Sequence, residues 1–327
     1  MFLIINSIIL EVYKRKKKKS KAYSIFDVVR GVTKGLETSG TGAEFTSTDY
    51  YSSFDSDGFT IAAGASGAGN GSSQTAVQWC WKAGATASAN GNGSISSSVS
   101  ANTTAGFSIV SYTGNGTLGA TVGHGLGSAP SMVIVKRRDT TGNWWTYHSK
   151  LGGADKYIVL NSTSGVGTST NIWNNTAPTS TVFSLGDNSS YPEVNGTSNT
   201  FIAYCFAEKK GYSKFFQYEG NANSDGTFVY LGFAPAWVMV KPIDAADNWV
   251  MFDNTRHNAI NSSTAPYQFY ANKNFAETTD TKQLDFLSNG FKVRNSGNTI
   301  NRSSTFIGMA FAEHPFVSST GTPITAR

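Results

Sequence analysis

The stretch GSAPSMVIVKRRDTTGNWWTYH at residues 127–148 decides the fold, because the chain contains it twice. Residues 232–253 read GFAPAWVMVKPIDAADNWVMFD, so Ala-Pro, Lys, Asp and Asn-Trp recur after an offset of 105 residues. The same offset holds downstream, where TFIAYCFAE begins at Thr200 and TFIGMAFAE begins at Thr305. A period of this length predicts tandem copies of one module.

A third copy is recognisable near the N-terminus. TAVQWCWKA from Thr75 aligns with TFIAYCFAE, and SIFDVVRG from Ser24 aligns with VMFDNTRH from Val250. SDGFTI and SNGFKV align in the same way, and residues 12–15 (VYKR) resemble residues 134–137 (IVKR). We therefore expect the chain to begin inside a module, with its first strands missing or replaced by Met1–Leu10.

The repeats divide the chain into five predicted segments. These are a partial module with a basic run at 1–82, a linker at 83–105, complete modules at 106–214 and 215–316, and a C-terminal tail at 317–327. The linker is rich in Gly, Ser, Asn and Thr and nearly free of large apolar side chains. Such a composition is typical of a flexible connection that buries no core.

The pattern within a module predicts an all-β fold. Short runs of β-branched and aromatic residues alternate with Gly- and Asn-containing turn signals, and no stretch sustains a helical period. We expect tandem antiparallel β-sandwich or jelly-roll modules of about 105 residues. A propeller blade is usually smaller, and a β-helix has a shorter period.

The charge is unevenly distributed. The formal net charge is +5, but residues 14–21 alone contain seven Lys or Arg, so the rest of the chain is close to neutral. A near-neutral body does not predict a nucleic-acid-binding face. The basic run is either a solvated loop or a site for phosphate or anionic lipid. Met1–Leu10 is apolar but too short to span a bilayer, so no membrane insertion is predicted.

The repeats also account for residues that would otherwise suggest chemistry. Cys80 and Cys205 share one strand position that is Ala310 in the third copy, which predicts a small buried residue and no disulfide, metal or redox site. Lys136/Lys241, Asp139/Asp244 and Glu208/Glu313 recur as sets, which predicts Lys–Asp or Lys–Glu pairs at strand ends. We predict no catalytic residue, no cofactor and no metal. The turns at 55–58 and 221–226 leave calcium as an alternative.

Aromatic residues are the candidate binding site. Trp144, Trp145 and Tyr147 place rings on both faces of one strand, so that one face is expected to point away from the core, and Trp173 lies in a polar loop. Exposed rings beside polar side chains stack on sugars. The predicted glycan-binding residues are Trp144, Trp145, Tyr147, His148 and Trp173. The alternative is a core Trp next to an edge Trp.

Several motifs together resemble a known repeat. They are SDGFTI (56–61), GSSQTAVQWCWKAG (71–84), VSANTTAGFSIVSYTGNG (99–116), GHGLGSAPSMVIVKRRD (123–139) and FIAYCFAEKKGYSKF (201–215). The set looks like a repeat module of virion proteins from marine tailed bacteriophages. The resemblance implies a tail-fibre or other virion-surface protein outside the cell, a homo-oligomer such as a trimer, and contacts with other virion proteins. It brings no catalytic residues with it.

Three hypotheses about function follow. The first is a tail-fibre or adhesin segment that binds host cell-surface glycans through repeated weak contacts. The second is a purely structural virion component, such as a capsid decoration or a fibre shaft. The third is a polysaccharide-degrading enzyme, which the repeated carboxylates do not favour because two equivalent tandem active sites would be unusual for a hydrolase.

Overall fold

The computed structural model describes residues 7–14, 23–56, 58–62, 75–187, 192–256, 267–279, 284–297 and 299–315. The basic run beyond Lys14 and the predicted tail at 317–327 lie outside these residues. The predicted all-β class is confirmed, since the described chain forms antiparallel sheets with two short helices. Within the described residues, none of the helices has the length and apolarity needed to cross a membrane.

The strands follow the three sequence copies. The first module contains β1 (Ser7–Lys14), β2 (Ser24–Asp27), β3 (Lys34–Glu37), β4 (Phe45–Thr46), β5 (Tyr51–Phe54), β6 (Phe59–Ile61) and β7 (Thr75–Lys82). The second contains β8 (Ser88–Asn90), β9 (Ser97–Asn102), β10 (Phe107–Thr113), β11 (Thr121–Gly123), β12 (Met132–Arg137), β13 (Trp144–His148), β14 (Lys156–Val159), β15 (Gly167–Thr168), α1 (Thr170–Trp173), β16 (Val182–Ser184), α2 (Pro192–Asn195) and β17 (Thr200–Phe206). The third contains β18 (Ser213–Glu219), β19 (Phe228–Tyr230), β20 (Pro235–Pro242), β21 (Val250–Asp253), β22 (Tyr267–Tyr270), β23 (Thr278–Thr279), β24 (Leu284–Leu287), β25 (Gly290–Val293) and β26 (Thr305–Ala312).

The chain forms two compact units. One takes in the described residues up to Asn161 together with Gly167–Ala207, and therefore holds the first and second modules. The other takes in Ser162–Val166 together with the described residues from Glu208 onward, and holds the third module. The predicted boundary between residues 214 and 215 falls inside β18, so the third module begins earlier than the repeat comparison suggested.

The second module is a two-sheet sandwich. Its large sheet has the order β15-β14-β13-β12-β17-β10-β9-β8, and β11 pairs with β16 in a small sheet. Val133 and Ala203 from the large sheet share one core with Val122 and Phe183 from the small one. The alternation of the strands makes this possible, because every second side chain points to the same face.

The third module repeats this arrangement. Its large sheet has the order β18-β26-β20-β21-β22-β23, and its small sheet has the order β19-β25-β24. Val238 and Phe306 from the large sheet share a core with Val229 and Phe291 from the small sheet. The strands β18, β20, β21 and β26 thus take the places of β10, β12, β13 and β17.

The first module has the central part of the same sheet, in the order β4-β3-β2-β1-β7. The strand β1 lies between β2 and β7, as β12 lies between β13 and β17. Ile9 is opposite Cys80, and Val133 is opposite Cys205. This register matches Leu10 to Ile134, two residues away from the predicted match at Val12. A whole strand sets its register by pairing on both sides, which a four-residue similarity does not capture.

The expectation of a flexible linker at residues 83–105 is wrong. Residues of this segment form β8 and β9, and β9 pairs with β10 from Ser97 opposite Tyr112 to Asn102 opposite Phe107. Backbone hydrogen bonds do not need large side chains, so a Ser-rich segment can add strands to an existing sheet edge. Its two aliphatic residues, Ile95 and Val99, are buried in the core of the second module.

Candidate functional site: two lysine joints

The five predicted glycan-binding residues are buried. The side chains of Trp144, Trp145, Tyr147, His148 and Trp173 are between 0% and 7% exposed. The expectation that one face of the strand points to solvent is therefore wrong. The alternative of a core Trp next to an edge Trp fits Trp145 but not Trp144, because both rings are buried. A buried ring offers no face on which a sugar can stack.

Both faces of β13 are covered, each by a different part of the chain. The Trp145 ring lies in the core of the second module and its Nε1–H donates to Glu193 Oε2 at 2.7 Å. Trp144 lies on the opposite face, where its Nε1–H donates to the carbonyl oxygen of Glu37 in the first module at 3.0 Å. The same ring stacks on Tyr204 with 6.4 Å between ring centroids. The first module thus covers the face that was expected to be open.

Lys136, at the end of β12, is the centre of the contact between the first two modules. Its side chain is buried, and its Nζ donates to the carbonyl oxygens of Thr41 at 3.1 Å and Arg137 at 2.9 Å. The Thr41 oxygen also accepts from the backbone N–H of Gly142 at 2.9 Å. We call this arrangement, in which a lysine and a backbone N–H bind one loop carbonyl, the first lysine joint.

Lys241, at the equivalent position in β20, forms the second lysine joint with the same geometry. Its Nζ donates to the carbonyl oxygens of Thr163 at 3.1 Å and Pro242 at 2.9 Å. The Thr163 oxygen accepts from the backbone N–H of Asp247 at 2.8 Å. All these residues belong to the unit that contains the third module.

A further backbone hydrogen bond lies beside each joint. Glu44 N–H donates to Arg138 O at 2.8 Å, and Val166 N–H donates to Ile243 O at 2.6 Å. The loop at the second joint lies so close to β20 that a Cβ on Gly165 would be 2.5 Å from the Ile243 oxygen. A short loop thus approaches the end of the central strand by its main chain in both copies.

Both joint lysines have weakened basicity. Burial lowers the pKa of Lys136 to about 8 and that of Lys241 to about 8, because an ammonium group loses hydration in a buried site. Nearby carboxylates, Glu193 for Lys136 and Asp247 for Lys241, partly offset this loss. A lysine with a pKa near neutrality resembles a catalytic base, but here its hydrogen bonds go to main-chain carbonyls in both copies, which indicates a structural role.

An ion-pair network surrounds the first joint. Arg30 is buried and pairs with Asp27 at 2.5 Å and with Glu44 at 3.3 Å. Arg138 Nε binds the same Glu44 at 2.9 Å, and Tyr204 O–H donates to Asp27 at 2.8 Å. Burial by itself would lower the pKa of Arg30, yet the pKa is raised, because the Asp27 charge stabilises the guanidinium. The network is a mutually compensated set of charges in which Arg30 and Asp27 are buried and Glu44 and Arg138 are partly buried.

The third module contains the counterpart of this network. Arg256 pairs with Asp253 and with Glu277, and its guanidinium lies 4.3 Å from the centroid of the Phe269 ring. The spacing of Asp and Arg by three residues is visible in the aligned sequences from Ser24 and Val250. This repeated pair of opposite charges is the signal in the sequence from which the ion pairs could be predicted.

Two asparagines, which sequence reasoning did not identify, organise one end of each complete module. Asn195 is fully buried, and its Nδ2 donates to Thr117 O at 3.0 Å and Gly186 O at 2.8 Å. Asn301 occupies the equivalent place and donates to Asn223 O at 2.7 Å. The Asn301 amide thus lies within the 221–226 turn, where the calcium alternative would need a cation. Among the described residues, no cluster of three or more His, Cys, Asp or Glu is arranged to hold a metal.

The repeated acids bind strand ends, but not through the predicted lysines. Asp139 Oδ2 accepts from the backbone N–H of Thr200 at 3.2 Å, and Asp244 Oδ2 accepts from that of Thr305 at 2.9 Å. The predicted pairing of these acids with Lys136 and Lys241 is therefore wrong. The physical reason is the loop at each joint, whose carbonyl oxygen takes the lysine Nζ.

Comparison with known proteins assigns the chain to a protein family. Residues 11–315 match the model of a domain of unknown function, DUF7483. The chain belongs to this family. That one match covers parts of all three modules of the DUF7483 chain and begins inside β1. No curated protein and no solved structure matches the chain.

Proposed function

We propose that this DUF7483 protein is a structural component of a bacteriophage virion, such as a fibre shaft or a capsid decoration. The observation that carries the proposal is the repetition of the lysine joint at Lys136 and Lys241. Each joint binds a loop of one copy of the repeat to the central strand of the next copy along the sequence. Nearest-neighbour contacts of this kind give repeat arrays their cooperativity.

The assignment to a virion is supported by the motif resemblance and by the weakly charged, polar composition of the chain. It includes a location outside the cell, contacts with other virion proteins and a homo-oligomer such as a trimer. The repeated Asp and Lys residues are engaged in holding strands and loops, which supports a non-enzymatic role. This proposal places the structural hypothesis ahead of the adhesin hypothesis, because the five rings predicted to bind host glycans are buried.

Labelling of particles tests the proposal. An antibody raised against the folded chain should decorate purified virions in electron micrographs, and the chain should copurify with them at fixed stoichiometry. Labelling confined to the infected cell, with none on particles, would contradict the proposal. A glycan array probed with the intact oligomer distinguishes the adhesin hypothesis from the structural one. Only the adhesin hypothesis requires specific binding to a host glycan.

Particle assembly tests the structural role of the joints. Lys241→Met in the phage should reduce the number of complete particles, since the methionine keeps the apolar stem but removes the Nζ donor. Lys150→Met is the matched control, because the side chain of Lys150 is exposed. Equal particle yields from both variants would argue against a structural function for the joint.

A further inference from the structure

In the part of the chain that the structure describes, one side of the sandwich is closed in the second module and open in the third. In the second module β9 pairs along β10, and Ile95 forms a parallel bridge to Val122 of β11, so this segment closes the side between the two sheets. In the third module β18 and β19 take the places of β10 and β11. Each is the last strand of its sheet among the described residues.

The connection that supplies the closing segment in the second module is much shorter in the third. Residues 83–106 lie between β7 and β10 and supply β8 and β9. Only residues 207–212 lie between β17 and β18. The open side is therefore a consequence of chain length between equivalent strands.

Two aromatic side chains are exposed on β19, the strand that borders the open side. Phe228 is 42% exposed and Tyr230 is 66% exposed, and both lie on the outer face of β19. Tyr230 is opposite Gly290, which has no side chain to cover the ring. Alternate aromatic residues on a terminal strand form an apolar surface that a partner can cover.

The equivalent positions of the second module are small and are covered by the closing segment. Thr121 and Gly123 correspond to Phe228 and Tyr230. Ser94 Oγ accepts from Thr121 N–H at 2.9 Å, and Ser97 Oγ donates to the Gly123 carbonyl at 2.9 Å. The second module thus shows which kind of segment covers this side: an uncharged, small polar strand with aliphatic residues four positions apart, Ile95 and Val99.

A side-chain hydrogen bond to the Glu208 carboxylate covers part of the edge of β18. Phe215 N–H donates to Glu208 Oε2 at 3.0 Å, and the other carboxylate oxygen of Glu208 binds Lys214 Nζ at 3.0 Å. A carboxylate on an edge strand prevents indiscriminate pairing. The side chains of Glu208 and Lys214 are 36% and 40% exposed, so a partner strand can replace this contact with a backbone carbonyl. Phe216, which is buried, closes the core beneath the edge.

We propose that the open side formed by β18 and β19 binds an extended segment of another polypeptide by β-strand addition. The partner segment is uncharged, rich in small polar residues, and carries aliphatic residues four positions apart, as Ile95 and Val99 are in the closing segment of the second module. Main-chain hydrogen bonds to β18 supply affinity in this mode, and alternate side chains supply specificity. The inference does not depend on the lysine joints.

A synthetic peptide with the sequence of residues 88–102, SANGNGSISSSVSAN, tests the proposal with the full-length protein. At about 1 mM peptide, amide hydrogen exchange should slow severalfold in 213–219 and 228–231. A control peptide with Asp at both aliphatic positions should give no protection. No slowing in these segments, or equal slowing by the control peptide, would overturn the proposal.

Two protein variants sharpen the result. Glu208→Ala should bind the peptide about threefold or more tightly, because the edge loses its competing carboxylate. Tyr230→Ser should weaken binding without changing the melting temperature, since the Tyr230 ring is exposed. Protection of β18 that grows with protein concentration in the absence of peptide would assign this side to a second copy of the chain and overturn the assignment to another polypeptide.

Discussion

The Nζ atom of Lys136 lies 3.1 Å from the carbonyl oxygen of Thr41, although 95 residues separate them in sequence. The same relationship recurs between Lys241 and Thr163 at 3.1 Å. In both pairs a buried charge-bearing group binds a main-chain atom and not a carboxylate. Because burial makes hydrogen-bond partners hard to replace, the two contacts lead to direct predictions.

Removing the amine at the first joint should weaken the contact between the first and second modules. Lys136→Met is expected to lower the free energy of unfolding of that unit by about 1–3 kcal/mol, because the Thr41 carbonyl loses one of its two donors. Urea unfolding followed by tryptophan fluorescence measures the change. Lys150→Met, at an exposed lysine of the same module, is the control and should change stability by less than about 0.5 kcal/mol.

Stability should depend on pH through the joint lysines. In the folded chain the pKa of each is lowered to about 8 from 10.5, so between these values the unfolded chain binds more protons than the folded one. The free energy of unfolding therefore rises with pH across this window, by up to about 1.4 kcal/mol per pH unit for each lysine. Denaturant midpoints at about pH 7.5 to 9.5 measure the slope below the range in which tyrosines ionise.

A variant identifies the origin of this slope. Lys136→Met combined with Lys241→Met should flatten it, whereas Lys150→Met should leave it unchanged. A slope that persists in the double variant would assign the pH dependence to other groups.

The buried asparagine at the end of the second module should be essential for stability. Asn195→Ala is expected to cost about 2 kcal/mol or more, because the Thr117 and Gly186 carbonyls lose their amide donor in a buried site. Thermal unfolding measures the cost, and Asn92→Ala in an exposed turn is the matched control. Equal melting temperatures for the two variants would show that Asn195 does not hold the loops together.

Acid should destabilise the second module through His124. Its Nδ1 accepts from Leu126 N–H at 3.2 Å and its Nε2 lies 3.1 Å from Thr179 O, so the ring is held in the neutral form. Burial lowers the pKa of His124 below 6.5, and the Thr179 carbonyl only partly offsets this. The unfolded chain therefore takes up a proton first, and stability is lost as pH falls below 6.5 toward the lowered pKa.

A paired substitution isolates this effect. His124→Gln should show a weaker dependence of the melting temperature on pH between about 5 and 7, and the exposed His314→Gln should behave like the parent chain. Identical pH profiles for the parent and His124→Gln would exclude His124 as the cause.

Sequence periodicity predicted the fold well because it reports burial along each strand. The 105-residue offset located β12, β20, β17 and β26, and the Cys80/Cys205/Ala310 position is a strand position as expected. Composition misled at residues 83–105, because a strand added to an existing edge needs only backbone groups and two aliphatic residues. The composition of a segment does not show which neighbouring strand it will pair with.

The candidate site was less accessible to sequence reasoning. Trp144 and Trp145 alternate as expected, but the exposure of a strand face depends on what packs against it. Here the first module covers Trp144, which no local pattern could indicate. The role of Lys136 was hidden for a related reason: its acceptor is a main-chain carbonyl, and every residue type provides one.

The choice of a carbonyl oxygen as the atom bound at each joint affects how such a chain can evolve. The loops that supply Thr41 and Thr163 read GTGA and STSG, yet both present the same oxygen to a lysine. Because the lysine binds a main-chain oxygen of the loop, the side chains of the loop can change without loss of this hydrogen bond. Duplication of a module therefore also duplicates the lysine joint. The surface side chains of the copies can then diverge while the joint between them is kept.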